Sequence, residues 1–161
     1  MSDQQNNTQN NEQNNTDKKY APKYTVYKPN KSFKGSASQL ELSRNGIFWV
    51  FANQLPEDNA NGNAQFDWKG KLTVSIGDND LATLVAFFTK PTDQEVKLFH
   101  ETPSGGNKIV SLKFDKDKGY SYINVSFKNG DNRVAVSHFL TFGEALIVRQ
   151  LLLNAISKIY W

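Results

Sequence analysis

The stretch KGYSYINVSFKNG, from Lys118 to Gly130, decides the fold. Its residues alternate in character, as side chains do along a β-strand, where successive ones point to opposite faces. Ile123, Val125 and Phe127 make an apolar face of the kind that packs on a core. Tyr120, Tyr122, Asn124, Ser126 and Lys128 make the other face. Two rings, an amide and a cation are thereby turned towards something that is not the core. The same period continues on both sides. QEVKLFHE (94–101), NKIVSLKFD (107–115) and NRVAVSHF (132–139) read as further strands. The connections TPSGGN, DKDKG and KNGDN are rich in turn residues. Consecutive strands joined this tightly pair antiparallel.

A helix follows. Thr141 and Glu144 fit the S/T-x-x-E capping box, and the helix is expected to run to near Tyr160. Its apolar residues are Ala145, Leu146, Val148, Leu151, Leu152, Ala155, Ile156 and Ile159. They cover more than one stripe, so burial on several sides is expected. The upstream half has the same order of elements. SFKGSASQLELSR (32–44), GIFWVFANQL (46–55) and FDWKGKLTVSI (66–76) read as strands, with EDNANGNAQ (57–65) as a loop. In GDNDLATLVAFFTKP (77–91) Asp78 or Asp80 is expected to cap a short helix whose stripe is Leu81, Leu84, Val85 and Phe88. Strands then helix, twice over, indicates an α+β chain with antiparallel sheets.

The first residues, MSDQQNNTQNNEQNNTDKK, hold no large apolar side chain after Met1 and are expected to be disordered. In YAPKYTVYKPNK (20–31), part of the linker is expected to lie extended against the domain. Residues 1–30 are therefore read as tail and linker, and 31–161 as one domain, as suits a chain of 161 residues. The absence of cysteine excludes a disulfide framework and thiolate zinc sites. The net charge of +3 permits a nucleic-acid partner without requiring one. No apolar run reaches the length of a membrane-spanning helix, and the N-terminus shows neither a signal-peptide core nor an Arg-rich transit peptide. A cytoplasmic protein without a membrane partner is expected.

Nothing in the motifs points to catalysis. His100 and His138 lack metal-ligand spacing, and no nucleophile elbow, P-loop or dinucleotide fingerprint is present. GDND lacks the remaining ligands of a calcium loop. A non-enzymatic protein with no cofactor, no catalytic residue and no metal is expected. Aromatic and basic residues carry the stronger signal. Trp49 shares a face of GIFWVFA with Ile47 and Phe51. Phe66 and Trp68 stand beside Lys69 and Lys71. Tyr120 and Tyr122 share a face with Asn124 and Lys128. Sheet faces of this kind suit single strands, whose bases stack on rings while cations neutralise phosphates. Equally, such rings can cover a second packing surface against a helix or another subunit.

The order of these segments resembles the Whirly family of single-stranded-DNA-binding proteins, from about Phe33 to Trp161. FKGSASQLEL is similar to the family's K-G-K-A-A-L strand through Lys34, Gly35 and Ala37. FDWKGKLTVSI is similar to Y-D-W-x-x-K, LATLVAF to a G-T-L helix, and VKLFHETP to F-F-H-D-P. GYSYINVSFKNG is similar to G-x-F-x-N-L-S-V-x-N, and GEALIVRQLLLNAISKIYW to a helix that closes on a C-terminal Trp. The resemblance implies two antiparallel four-stranded sheets packed roughly at right angles with two helices, ββββα repeated twice. It implies a tetramer held by its helices and single-stranded DNA bound along sheet surfaces with little sequence preference. It places Lys34, Trp68, Lys71, Tyr122 and Asn124 in matching strands. Ser36 stands where the family strand has its second lysine, so that strand's tie to DNA and to higher-order assembly does not carry over to Ser36. Without a transit peptide, a bacterial or viral member is expected, coating strands in replication, recombination or repair. RNA binding or annealing, transcriptional regulation and a purely structural interaction module are the alternatives.

Overall fold

The computed structural model describes residues 23–43 and 45–159. The Asn/Gln-rich tail and the C-terminal Tyr160 and Trp161 lie outside the described residues. The strands are β1 (Lys23–Lys28), β2 (Ser36–Ser43), β3 (Gly46–Asp58), β4 (Ala64–Phe66), β5 (Leu72–Ile76), β6 (Val96–Glu101), β7 (Asn107–Asp115), β8 (Tyr120–Asn129) and β9 (Asn132–Thr141). Helix α1 (Asp78–Thr89) lies between β5 and β6, and α2 (Phe142–Ile159) follows β9.

β1, β2 and β3 pair antiparallel in chain order. β3 is 13 residues long and serves two strands on its other side. Ile47–Phe51 pairs with β5, and Gln54 and Asp58 pair with β4. The second sheet is a meander, β6-β7-β8-β9. Two antiparallel sheets with two helices is the expected α+β class. The first sheet nevertheless has five strands rather than four. One reason is β1, which lies within the segment read as linker and pairs with β2 from Lys23 onwards. The other is a turn at 67–70 that divides one expected strand into β4 and β5.

The alternation in β8 appears as expected. Ile123 and Val125 are fully buried, Phe127 is half-buried, and the tyrosines take the opposite face. The core lies between the two sheets and the helices. Ile47, Trp49, Phe51 and Val74 meet Leu112, Ile123, Val125 and Leu140, with Leu84 of α1 and Leu152 of α2 closing it. The sheets are also tied by polar contacts. Lys108 Nζ donates to the Thr73 carbonyl (2.7 Å), and Asn53 Nδ2 donates to the Ala135 carbonyl (3.0 Å).

Both helix starts show why their sequences begin there. At α1 the N-cap is Gly77, not Asp78 or Asp80; the Asp80 carboxylate at the third helical position accepts the Gly77 N–H at 3.1 Å. At α2 the Thr141 N–H donates to Glu144 Oε2 (2.8 Å) and the Glu144 N–H reaches back to Thr141 Oγ1 (3.4 Å). This is the reciprocal arrangement of a capping box. Along α2, Ala145, Val148, Leu152 and Ala155 are buried, while Phe142, Leu146 and Ile147 are exposed. Burial on several sides is therefore not met within one chain.

Gly35 shows how closely the β1–β2 turn is held. A Cβ there would lie 2.3 Å from both the Gln54 Oε1 and the Lys28 carbonyl. Gln54 Oε1 is already fixed by the Asn30 N–H (2.8 Å), and the Gln54 N–H donates to the Gly35 carbonyl (2.9 Å). Gly35→Ala is expected to cost about 1–3 kcal/mol of stability, in line with overpacking. A urea titration checks this; an unchanged midpoint would show that the turn yields freely.

Candidate nucleic-acid interface

The outer face of the second sheet is built from alternate residues of four strands. Pairing places Lys113, Tyr122 and Phe139 side by side, with Ser111, Asn124 and Ser137 in the next row. The helices contribute their buried residues to the core on the opposite face. Tyr120 stacks on Phe139, with centroids 4.8 Å apart and planes 21° from parallel. Tyr122 stands edge-on to Tyr120 at 6.3 Å. The three rings form a half-buried platform whose flanks carry charge. Lys118 Nζ lies 5.7 Å from the Tyr122 ring and 3.4 Å from its hydroxyl. Lys28 Nζ lies 4.6 Å from the Phe139 ring.

Further along β8 the face becomes cationic. Lys128 and Arg133 stand directly opposite in register, and both are exposed. Like charges facing each other across a ladder are destabilising unless an anion lies between them. Tyr122 and Lys128 are separated by about 20 Å of strand. Between them Asn124 Nδ2 donates to Ser137 Oγ (2.8 Å). Rings at one end, cations at the other and small polar groups between them can stack bases and neutralise phosphates.

Lys28 is itself held. Its ammonium donates to both carboxylate oxygens of Glu144 (2.8 and 2.7 Å). Burial pushes the Glu144 carboxyl up, but Lys28 and the Thr141 N–H and hydroxyl outweigh it and leave it below the usual range. Next to this pair lies His138, buried in the core face of β9. Its Nδ1 is 2.9 Å from Ser36 Oγ and its Nε2 3.0 Å from Ser38 Oγ. Burial, assisted by Lys28, lowers its pKa to about 4. The imidazole is thus neutral at physiological pH. Ser36 occupies the place of the resembled family's second lysine. Here it is a core residue whose hydroxyl serves His138, and a lysine ammonium would be buried in its place.

The sequence-derived candidates fall into two groups and two outliers. Tyr120, Tyr122, Asn124 and Lys128 share the face just described. Trp68, Lys69 and Lys71 lie together on the first sheet, around the turn between β4 and β5. In that turn Asp67 Oδ1 accepts the Gly70 N–H (2.8 Å), which leaves Trp68 half-buried and Lys69 exposed. Lys34 is exposed just before β2. Lys34, Trp68 and Lys71 lie just outside strands rather than within them. Trp49 is corrected: it is 1% exposed, packed against Phe51 (5.1 Å) and Phe88 (6.1 Å), and cannot meet a base. Phe139 and Lys113 were missed. Each alternates correctly within its own strand, but only the register of β7, β8 and β9 brings them beside Tyr122.

No protein-family model matches the chain, and no curated protein sequence does. Solved structures do match. The MRP1/MRP2 structure from Trypanosoma brucei has a TM-score of 0.67 at 12% identity, over 86% of this chain and 85% of that one. WHY1 from Arabidopsis thaliana has a TM-score of 0.64 at 15% identity, over 83% and 81%. A guide-RNA-binding protein complex bound to a gRNA has a TM-score of 0.65 at 12% identity, over 86% and 92%. At these identities the likeness is one of architecture, and the chain has the Whirly-like α+β fold.

Proposed function

We propose that this protein binds single-stranded DNA and catalyses no reaction. It coats and protects strands with little sequence preference during replication, recombination or repair, in the cytoplasm of a bacterium or a virus-infected cell. The observation that carries this is the outer face of the second sheet: a platform of Tyr120, Tyr122 and Phe139 with Lys118 at its edge, and Lys128 and Arg133 opposed beyond it. Stacking on rings tolerates any base, because every base has a π-face. The exposed Phe142, Leu146 and Ile147 of α2 support assembly into a homotetramer through the helices. Mass in solution tests that assembly.

Binding is tested by titrating a labelled single strand and a duplex of the same sequence at several salt concentrations. Single strands are expected to bind more tightly, with affinity falling as salt rises. Equal or tighter duplex binding at low salt would overturn the reading. Tyr122→Ala is expected to weaken binding by about 1–3 kcal/mol without unfolding the chain, as for loss of one stacked base. Unchanged affinity would remove Tyr122 from the site.

RNA is the second reading, favoured by the similarity to a guide-RNA-binding complex. Competition between RNA and DNA strands of matched sequence separates the two.

A further inference from the structure

The outer side of the first sheet carries a second cluster that the platform does not use. Tyr27 of β1 is 55% exposed, and its ring lies 5.4 Å from that of Phe66 in β4. With Trp68 these rings line an open groove of about 510 Å³. A second hollow of about 550 Å³ adjoins it, sharing Pro29 and Ala64 as a common wall. Each falls within the range of about 300–1,000 Å³ found for small-ligand clefts.

The groove differs from the platform in its polar rim. The Gln65 amide lines it and the Asn63 amide lines the adjoining hollow, and neither has a hydrogen-bond partner among the described residues. Asn30 spends its side-chain oxygen on the Ser32 N–H (2.7 Å), leaving its NH2 group for a ligand. Asn63 is presented by a loop that Asn59 organises, its Oδ1 accepting the Asn61 and Asn63 N–H groups (2.9 and 3.0 Å). Phe33 borders the same hollow with φ of 56°, in the left-handed region that a bulky residue seldom adopts. Such strain concentrates where ligands are clamped. Lys31 lines the second hollow, and Lys69, next to Trp68 in the chain, is exposed.

We infer that this groove takes one splayed-out base of a bound single strand and reads its edge. Tyr27, Phe66 and Trp68 hold the base plane. Asn63 and Gln65, with the Asn30 NH2, meet its hydrogen-bonding edge, as paired amide donors and acceptors do with adenine. Lys31 and Lys69 meet the flanking phosphates. The inference rests on the nucleic-acid reading but departs from it in one respect. A footprint otherwise indifferent to sequence contains one position of base preference.

The test compares labelled oligo(dA), oligo(dC) and oligo(dT) on the full chain, read by anisotropy and by tryptophan emission. Wild type is expected to rank the three, by about tenfold between best and worst. The Asn63→Ala, Gln65→Ala double variant should flatten that ranking. Tyr27→Ala should lower affinity for all three by about tenfold, as for a lost stacking partner. Strand binding should quench tryptophan emission in wild type, and Trp68→Phe should remove most of that quenching. Circular dichroism confirms that each variant is folded. If strands bind but the ranking survives the double variant, or wild type shows none, the base-reading role is overturned. If Tyr27→Ala binds as wild type does, the groove is not occupied, and the Tyr122 platform stands without it. If no strand binds wild type at all, both this inference and the nucleic-acid reading fall.

Discussion

Trp49→Ala is expected to cost about 3–5 kcal/mol of folding stability, the range for deleting a large aromatic from a packed core. Trp49 is enclosed by Phe51, Phe88, Leu40 and Val74 and is almost wholly buried. Its loss leaves a cavity between β3 and α1 that neighbours on a paired sheet cannot fill. Affinity for single strands, measured on the folded fraction, should stay at the wild-type value. Trp68→Ala should show the opposite profile: little change in the urea midpoint and weaker binding. If Trp49→Ala does not fold, Trp49→Phe, which keeps a ring, separates the two effects at smaller cost. A stable Trp49 variant that binds poorly would return this residue to the interface.

The contrast between these two tryptophans shows where sequence is informative. Both sit in aromatic segments of high β-propensity, and Trp49 has phenylalanines on both sides in sequence. Alternation correctly placed Ile47, Trp49 and Phe51 together. It could not say which face of a strand apolar on both sides is the core, because Phe48, Val50 and Ala52 are also apolar. In β8 the two faces differ sharply, so the face of Tyr120 and Tyr122 could be read without a structure. Cross-strand partners are a different matter. Phe139 lies beside Tyr122 only because β8 and β9 pair with Asn129 opposite Asn132. Lys28 reaches Glu144 across 116 residues of chain. Such contacts follow from register and topology, which no local pattern encodes. β1 was hidden for a further reason: Tyr24, Val26 and Lys28 alternate, but the flanking prolines and Asn/Gln tail make the segment look like a linker.

Stability is expected to fall by about 3 kcal/mol as pH drops from 6.5 to 4, through His138 alone. The folded pKa of this imidazole is about 4, against an ordinary value of 6.5. Above pH 6.5 it is neutral in both states, and its contribution is fully present. Below 6.5 the unfolded chain takes up a proton that the native chain refuses, so unfolding gains free energy by at most about 1.4 kcal/mol per pH unit. Below pH 4 both states are protonated and the loss is complete. The refusal has two causes: burial among β2 and β9 side chains, and the Lys28 ammonium nearby, which Glu144 only partly offsets. Neutral imidazole suits its partners, because it offers one donor and one acceptor and each serine hydroxyl can take either role. A charged ring would have two donors, and Ser36 and Ser38 would both have to accept. Glu144, whose carboxyl is held below its usual range, adds a loss in the same direction but at lower pH: it begins as the unfolded carboxyl takes up a proton and is complete once the folded one does too. Urea unfolding between pH 6.5 and 5 therefore isolates the histidine. His138→Gln should lower stability at pH 7 yet flatten the slope across that window. An undiminished slope in the variant would assign the pH dependence to another group and leave His138 as a packing residue only.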